Sequence, residues 1–174
     1  VTAARPDPPP DPETAARGRS ATPAPSATSA REVRFPDGTL VRASALGDRE
    51  ANAAWRDHGL YLDARWAPTW PATVVDWPDL GLPVDDRAAT AAIVDAFERA
   101  RRGANVEVGC FAGRGRTGTV LACLAVLAGV GADEAVAWVR HRLPGAVESS
   151  AQEAWVRGFA ARVTPRDAAP QSGQ

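Results

Sequence analysis

Asn105-Val106-Glu107-Val108-Gly109-Cys110-Phe111-Ala112-Gly113-Arg114-Gly115-Arg116-Thr117-Gly118 is the stretch on which the fold turns. Its first five residues, NVEVG, predict a short central β-strand. A glycine-rich turn follows, and the apolar run from Thr119 to Val130 predicts a buried helix. Strands that feed helices through such turns belong to an α/β architecture and not to a helix bundle. Upstream, Val33 to Ala43 sets two β-like stretches around a Pro36-Asp37-Gly38 turn, which predicts a hairpin. Leu60-Tyr61-Leu62 and Thr73-Val74-Val75 are further short strands. Asp85 or Asp86 caps a helix to Arg102, with Ala92, Ile93, Ala96, Phe97 and Ala100 on one face and Gly103 as its stop. Downstream, Asp133 opens a helix to about Leu143, and Glu148 to Val163 makes the last one. The expected fold is an α/β three-layer sandwich, with a central, mostly parallel sheet flanked by helices.

Outside this region the composition changes. Residues 1–31 carry seven of the fifteen prolines, mixed with Ala, Ser and Thr. Such a segment buries too little apolar surface to offset an ordering cost of ~1 to 2 kcal/mol per residue. A disordered arm over 1–31, one domain over 32–164 and a disordered tail over 165–174 are therefore expected.

Composition also excludes chemistries. The 174 residues carry 20 basic against 21 acidic side chains, a formal charge of -1. Proteins that bind nucleic acid or anionic membrane surfaces normally hold a basic surplus, so neither is an expected partner. Every basic residue is Arg, and without Lys neither a Walker phosphate loop nor a pyridoxal Schiff base can be built. Cys110 and Cys123 are too few for a disulfide scaffold, and with His58 and His141 they make a poor set for structural zinc. No run reaches the roughly 18 apolar residues of a membrane span, and the N-terminus lacks a secretion signal. The expectation is a cytoplasmic monomer that needs no metal or other cofactor.

The turn itself carries the chemistry. A loop between a strand and a helix N-terminus wraps its amides around one point, and the helix dipole faces the same point with its positive end. Gly113 and Gly115 let the backbone turn inward. Arg116 offers a planar fork for two phosphate oxygens, and the same field favours thiolate over thiol at Cys110. The glycines at 113, 115 and 118 also spell the dinucleotide fingerprint G-x-G-x-x-G. In that motif the first Gly directly follows the strand and a second strand ends in an acid, whereas here Cys-Phe-Ala intervenes and two helices follow. A free Cys is most often a small buried hydrophobe. Its combination with the glycines, the strand-to-helix context and an Arg six residues on argues for a site instead. A loop that binds phosphate without reacting stays open at this point.

A second segment, Asp76-Trp77-Pro78-Asp79-Leu80-Gly81-Leu82-Pro83, follows a predicted strand. Expelling an alcohol from phosphate calls for a carboxylic acid, a contribution of ~10² to 10⁴ in rate. A stiff turn hinged at Gly81 would present one on a flap. The same residue types also make an ordinary surface turn.

Together these segments resemble the Cys-dependent protein tyrosine phosphatase superfamily, including its dual-specificity branch. GCFAGRGRTGT is similar to the signature loop HCxxGxxR[ST]G, WPDLGLP to the acid-bearing WPD loop, and Gln152 in AVESSAQEAWV to a downstream water-orienting glutamine. The resemblance covers about residues 70 to 160. It implies a phosphomonoester hydrolase in which Cys110 forms a phosphocysteine and Asp79 protonates the leaving oxygen and then serves as base. Arg116 and the amides of Phe111, Ala112, Gly113, Arg114, Gly115 and Arg116 would bind the phosphoryl oxygens, Thr117 would assist the departing sulfur, and Gln152 would steer the water. Substrates would be phosphorylated proteins, on tyrosine or with dual specificity, or small phosphomonoesters. A weak or inactive module that binds phosphorylated partners, and a phosphoinositide phosphatase suggested by Arg114, are the alternatives. The family's usual His before the nucleophile is Gly109 here, and Asp76 is a second candidate acid. Cys123, Trp138 and Trp155 read as packing, and Trp55, Trp66 and Trp70 as a cover for the sheet.

Overall fold

The computed structural model describes residues 31–163. The expected arm and tail lie outside the described residues, except for Arg31, which opens the first strand. Five strands, β1 (Arg31–Arg34), β2 (Leu40–Ala45), β3 (His58–Tyr61), β4 (Ala72–Val74) and β5 (Val106–Cys110), form one sheet in the order β1-β2-β5-β3-β4. Only the β1–β2 hairpin is antiparallel. Its turn is local chemistry: Gly38 takes φ +89°, and the Asp37 carboxylate accepts from Thr39 N at 3.0 Å and Thr39 Oγ1 at 2.9 Å. Five helices follow the expected pattern: α1 (Asp86–Arg101), α2 (Gly115–Leu127), α3 (Ala135–Arg142), α4 (Ser150–Arg157) and α5 (Phe159–Val163). Asp85 caps α1 by accepting from Arg87 N and Ala88 N at 2.9 Å each, and Gly103 at φ +91° ends it. Among the described residues no helix is long and apolar enough to cross a membrane.

Several boundaries differ from the expected ones: β4 is Ala72–Val74 where Thr73 to Val75 was expected, and α3 begins at Ala135 and not at Asp133. The third strand begins at His58 and ends at Tyr61, because its parallel pairing with β5 runs from His58↔Val106 to Tyr61↔Gly109. The last helix is two helices divided at Gly158. Buried Gln152, Trp155, Val156 and Phe159 keep helical spacing across that break, so periodicity alone does not show it.

β5 is central and all five of its residues are buried. Side chains alternate across a strand. Val106, Val108 and Cys110 therefore join the main core with Leu60, Ile93, Phe97, Leu121 and Leu124, on the side of α1 and α2. Glu107 and Gly109 point to the opposite side, which carries Tyr61, Trp66 and Trp70. There the Tyr61 and Trp66 rings stack at 3.9 Å and Trp70 meets Tyr61 edge-on at 6.1 Å, so Trp66 and Trp70 do cover the sheet.

A charge sits inside this second layer. Glu107 is fully buried and accepts from Asn52 Nδ2 at 2.6 Å, Arg56 Nη1 at 2.5 Å and Tyr61 Oη at 2.7 Å. Burial, with the Glu107 hydrogen bond second, pushes the Tyr61 hydroxyl well above its ordinary value, so it remains a donor. Arg56 is itself buried and lies 4.0 Å over the Trp70 ring. Glu107→Leu should lower unfolding free energy by about 3–5 kcal/mol, because it strands the Arg56 charge. Urea denaturation measures this, and a loss near that of an ordinary surface substitution would remove the network from the stability account.

Candidate active site

Parallel strands end together, and the carboxyl edge of β2, β5 and β3 is where the chain gathers Ala45, Cys110 and Leu62. Ala45 pairs with Cys110 in register, and Leu62 N donates to Gly109 O at 2.8 Å. From Cys110 the backbone turns into α2 with its carbonyls held outward. Trp66 Nε1 donates to Cys110 O at 3.1 Å, Leu46 N to Phe111 O at 3.1 Å, Gly118 N to Arg114 O at 2.6 Å and Thr119 Oγ1 to Gly115 O at 2.8 Å. In a trans peptide the N–H points opposite to the C=O. Anchoring the carbonyls outside thus turns the intervening amides inward, and among the described residues those of Phe111 to Gly115 donate to no loop, turn, cap or side-chain acceptor. Gly113 makes this curvature possible: it takes φ +66° with its Cα pressed against Ser44 O and Ala45 N, where a Cβ has no room.

Arg116, in the first turn of α2, is 4% exposed. Its Nη1 donates to Leu62 O at 2.7 Å and Trp77 O at 2.8 Å, and its Nη2 lies 3.1 Å from both Asp63 Oδ2 and Asp79 Oδ1. The guanidinium thereby joins three parts of the chain. Its Nε is buried without a partner, and so is Thr117 Oγ1 in the next residue. Two buried polar groups without a partner, six and seven residues after the buried Cys110, are costly unless something arrives to satisfy them.

The flap is tied at its base. Trp77 is buried against Trp155 at 5.1 Å and donates from Nε1 to Gly81 O at 2.8 Å, while Gly81 N donates to Pro78 O at 3.1 Å and Val84 N to Asp76 O at 3.0 Å. Both backbone groups of Gly81 are engaged, so the freely projecting part is Pro78-Asp79-Leu80, with Leu80 at φ +57°. Asp79 is 69% exposed and reaches Arg116, whereas the exposed Asp76 carboxyl pairs with none of the described residues. Gln152, the N2–N3 region of α4, is fully buried: its Oε1 accepts from Glu148 N at 2.9 Å and its Nε2 donates to Gly81 O at 3.3 Å. It bridges α4 to the flap. Phe111 and Ala112 are exposed on the rim, with the Arg65 guanidinium 4.1 Å over the Phe111 ring, and Arg114 is exposed at the start of α2.

Two neighbours of the loop carried no signal of their own in the sequence. Asp63 follows a strand and precedes Arg65, which reads as a turn. In the fold its carboxylate accepts from Arg65 Nε at 2.8 Å and Nη2 at 2.6 Å, and it also holds Arg116. The Arg65 hydrogen bonds, aided by Arg116 and outweighing burial, hold its carboxyl well below the ordinary 3.8. A depressed folded value means the ionised form stabilises the native state at neutral pH, and that contribution is lost as pH falls below about 4. The stability difference between the wild type and Asp63→Asn should accordingly be constant above the ordinary carboxylate range and shrink below it, as followed by thermal melts across pH. A difference independent of pH would show that Asp63 acts through shape alone. The other neighbour is Trp66. A Cβ on Gly109 would collide with its Cζ2, so the glycine where a His was expected is the space the indole fills.

A sequence model described as the Swiss Army Knife protein DSP-PTPase phosphatase domain, PTP-SAK, matches residues 77–158. The fold is similar to that of Tk-PTP in its active form, at 22% identity and a TM-score of 0.61 over 75% of this chain and 94% of that one. It is also similar to kinase associated phosphatase bearing Ser at its catalytic-site Cys, at 13% identity and a TM-score of 0.62 over 75% and 90%. PTPN18 in complex with HER2 phosphopeptides matches at 16% identity and a TM-score of 0.57 over 79% and 72%. At these identities the structural likeness speaks for the fold.

Proposed function

We propose that this chain is a member of the Cys-dependent protein tyrosine phosphatase superfamily and hydrolyses phosphomonoesters on proteins through a phosphocysteine at Cys110. The observation that carries the reading is the set of donors without an acceptor among the described residues on the turn that follows Cys110: the amides of Phe111 to Gly115, Arg116 Nε and Thr117 Oγ1. Their number and charge suit the three equatorial oxygens of a phosphoryl group.

In the first step the Cys110 thiolate attacks phosphorus, an S–P bond forms and the P–O ester bond breaks. The Asp79 carboxyl gives its proton to the leaving oxygen, so a neutral alcohol departs. The arriving dianion competes with Asp79 for Arg116 Nη2, which leaves the carboxyl beside the ester oxygen. In the second step water attacks phosphorus, its proton passes to the Asp79 carboxylate, and the S–P bond breaks to return thiolate and release phosphate. Thr117 Oγ1, free of other partners, donates to the sulfur as it leaves. Gln152 acts in this reading by holding Gly81 and so the height of the flap, and its amide reaches water only when the bond to Gly81 O opens.

The rim favours an aryl ester on a protein. Leu80 on the flap and Phe111 on the loop are large exposed apolar side chains, and Phe111 offers a ring face to a phenyl group. The phosphopeptide complex of PTPN18 supports a phosphoprotein in the same way. The test is steady-state hydrolysis of p-nitrophenyl phosphate with and without vanadate, followed by phosphotyrosine peptides, phosphothreonine peptides and phosphoinositides at matched concentrations. Vanadate-sensitive turnover with phosphotyrosine peptides preferred is expected. Absence of any vanadate-sensitive turnover would refute the enzyme, and a preference for phosphoinositides would refute the substrate class.

A further inference from the structure

We propose that Trp66 is the positioning residue of the phosphate loop, its indole N–H setting the Cys110–Phe111 peptide so that the Phe111 amide faces the bowl, and that Gly109 exists to admit the indole. This rests on the function proposed above, since it concerns the same loop.

Three observations converge. Trp66 Nε1 donates to Cys110 O at 3.1 Å, from a ring with no solvent exposure. Of the carbonyls anchored around the loop, this is the nucleophile's own, and its donor is a side chain from a separate segment, 44 residues earlier. The indole is itself immobilised: it stacks on Tyr61 at 3.9 Å, and Tyr61 accepts from Trp70 Nε1 at 2.9 Å and donates to buried Glu107 at 2.7 Å. Finally, any side chain at 109 would occupy the place of the indole's six-membered ring. Gly109 and Trp66 are thus a matched pair, the one providing room and the other filling it with a hydrogen-bond donor.

The consequence is chemical. Cys110 O cannot rotate inward while Trp66 holds it, so Phe111 N–H cannot rotate outward. That amide is the first donor after the sulfur. Losing its orientation weakens the grip on the phosphoryl oxygens without substituting Arg114, Arg116, Asp48, Asp63, Asp79, Arg65 or Glu148, charged groups near the loop among the described residues.

The experiment uses the full chain with Trp66→Phe, and a second variant with 3-benzothienylalanine at position 66, which keeps the indole shape and replaces N–H by sulfur. Iodoacetamide alkylation of Cys110 is followed at one fixed pH with increasing inorganic phosphate as protectant, beside a thermal melt. In the wild type, phosphate should slow alkylation. In both variants phosphate protection should weaken about three- to tenfold, the scale of one hydrogen bond. The isosteric variant, which keeps the packing, should do so with a melting temperature lowered by no more than the loss of one buried hydrogen bond, whereas a packing role would leave its phosphate protection at the wild-type value. Gly109→Ala should show the same signature in the wild type and add little in the Trp66→Phe background, where the smaller ring leaves room. If the isosteric variant keeps the wild-type protection, Trp66 is packing only and the proposal is wrong. If phosphate gives the wild type itself no protection, the proposed hydrolysis falls instead, and this proposal with it.

Discussion

Cys110→Ser should abolish turnover of p-nitrophenyl phosphate, with kcat lower by ~10⁴ to 10⁶, the scale on which removing an essential nucleophile is felt. The hydroxyl oxygen would sit where the sulfur sits but would not ionise near neutral pH, and the two carboxylates paired with Arg116 are already engaged. Asp79 faces Arg116 and Asp63 is occupied by two guanidinium groups. Binding should survive. The amides of the loop and Arg116 are unchanged, so inorganic phosphate should still be taken up, which isothermal titration measures. The separation matters because a module that only captures phosphorylated partners predicts intact binding and no turnover in either protein. A Cys110→Ser protein with more than a small residue of the wild-type rate would mean that the sulfur is not the nucleophile.

The second large effect belongs to the flap. Asp79→Asn should lower kcat by ~10² to 10⁴ for esters of alcohols and ordinary phenols, and far less for an ester whose leaving group needs no proton. Asp76→Asn should leave both substrates alone. The two acids are three residues apart on one turn, and the reason only one is expected to act lies in how the turn is fastened. Trp77 is clamped between them, against Trp155 and through its carbonyl to Arg116, which turns Asp79 toward the guanidinium and Asp76 toward solvent. A leaving-group dependence that appears with Asp76→Asn and not with Asp79→Asn would overturn this assignment. Because Asp79 also pairs with Arg116, its loss removes one of the two carboxylates on Nη2 and leaves only Asp63 there, so phosphate binding in Asp79→Asn should be retained or tightened.

The architecture and the loop were legible because both are encoded over short distances. Strand and helix periods, the Asp85 cap, the Pro36-Asp37-Gly38 turn and the contiguous run from Cys110 to Gly118 each need only neighbours along the chain, and a helix dipole meets the end of its own strand wherever that unit folds. The amino-acid order alone therefore determined an α/β sheet with Cys110 and Arg116 on one strand-to-helix turn, and it left two carboxylates as candidates for the proposed acid. What only the tertiary structure decided concerns groups brought together from distant segments. Asp63 and Trp66 reach the loop because β3 pairs with β5, and Glu107, an acid within an apolar strand, is tolerated because Asn52, Arg56 and Tyr61 converge on it. Gly109 read along the chain is a missing histidine; in three dimensions it is the clearance for an indole. Such pairings depend on which strands become neighbours and on side-chain volume, and neither is written within a few residues of the site.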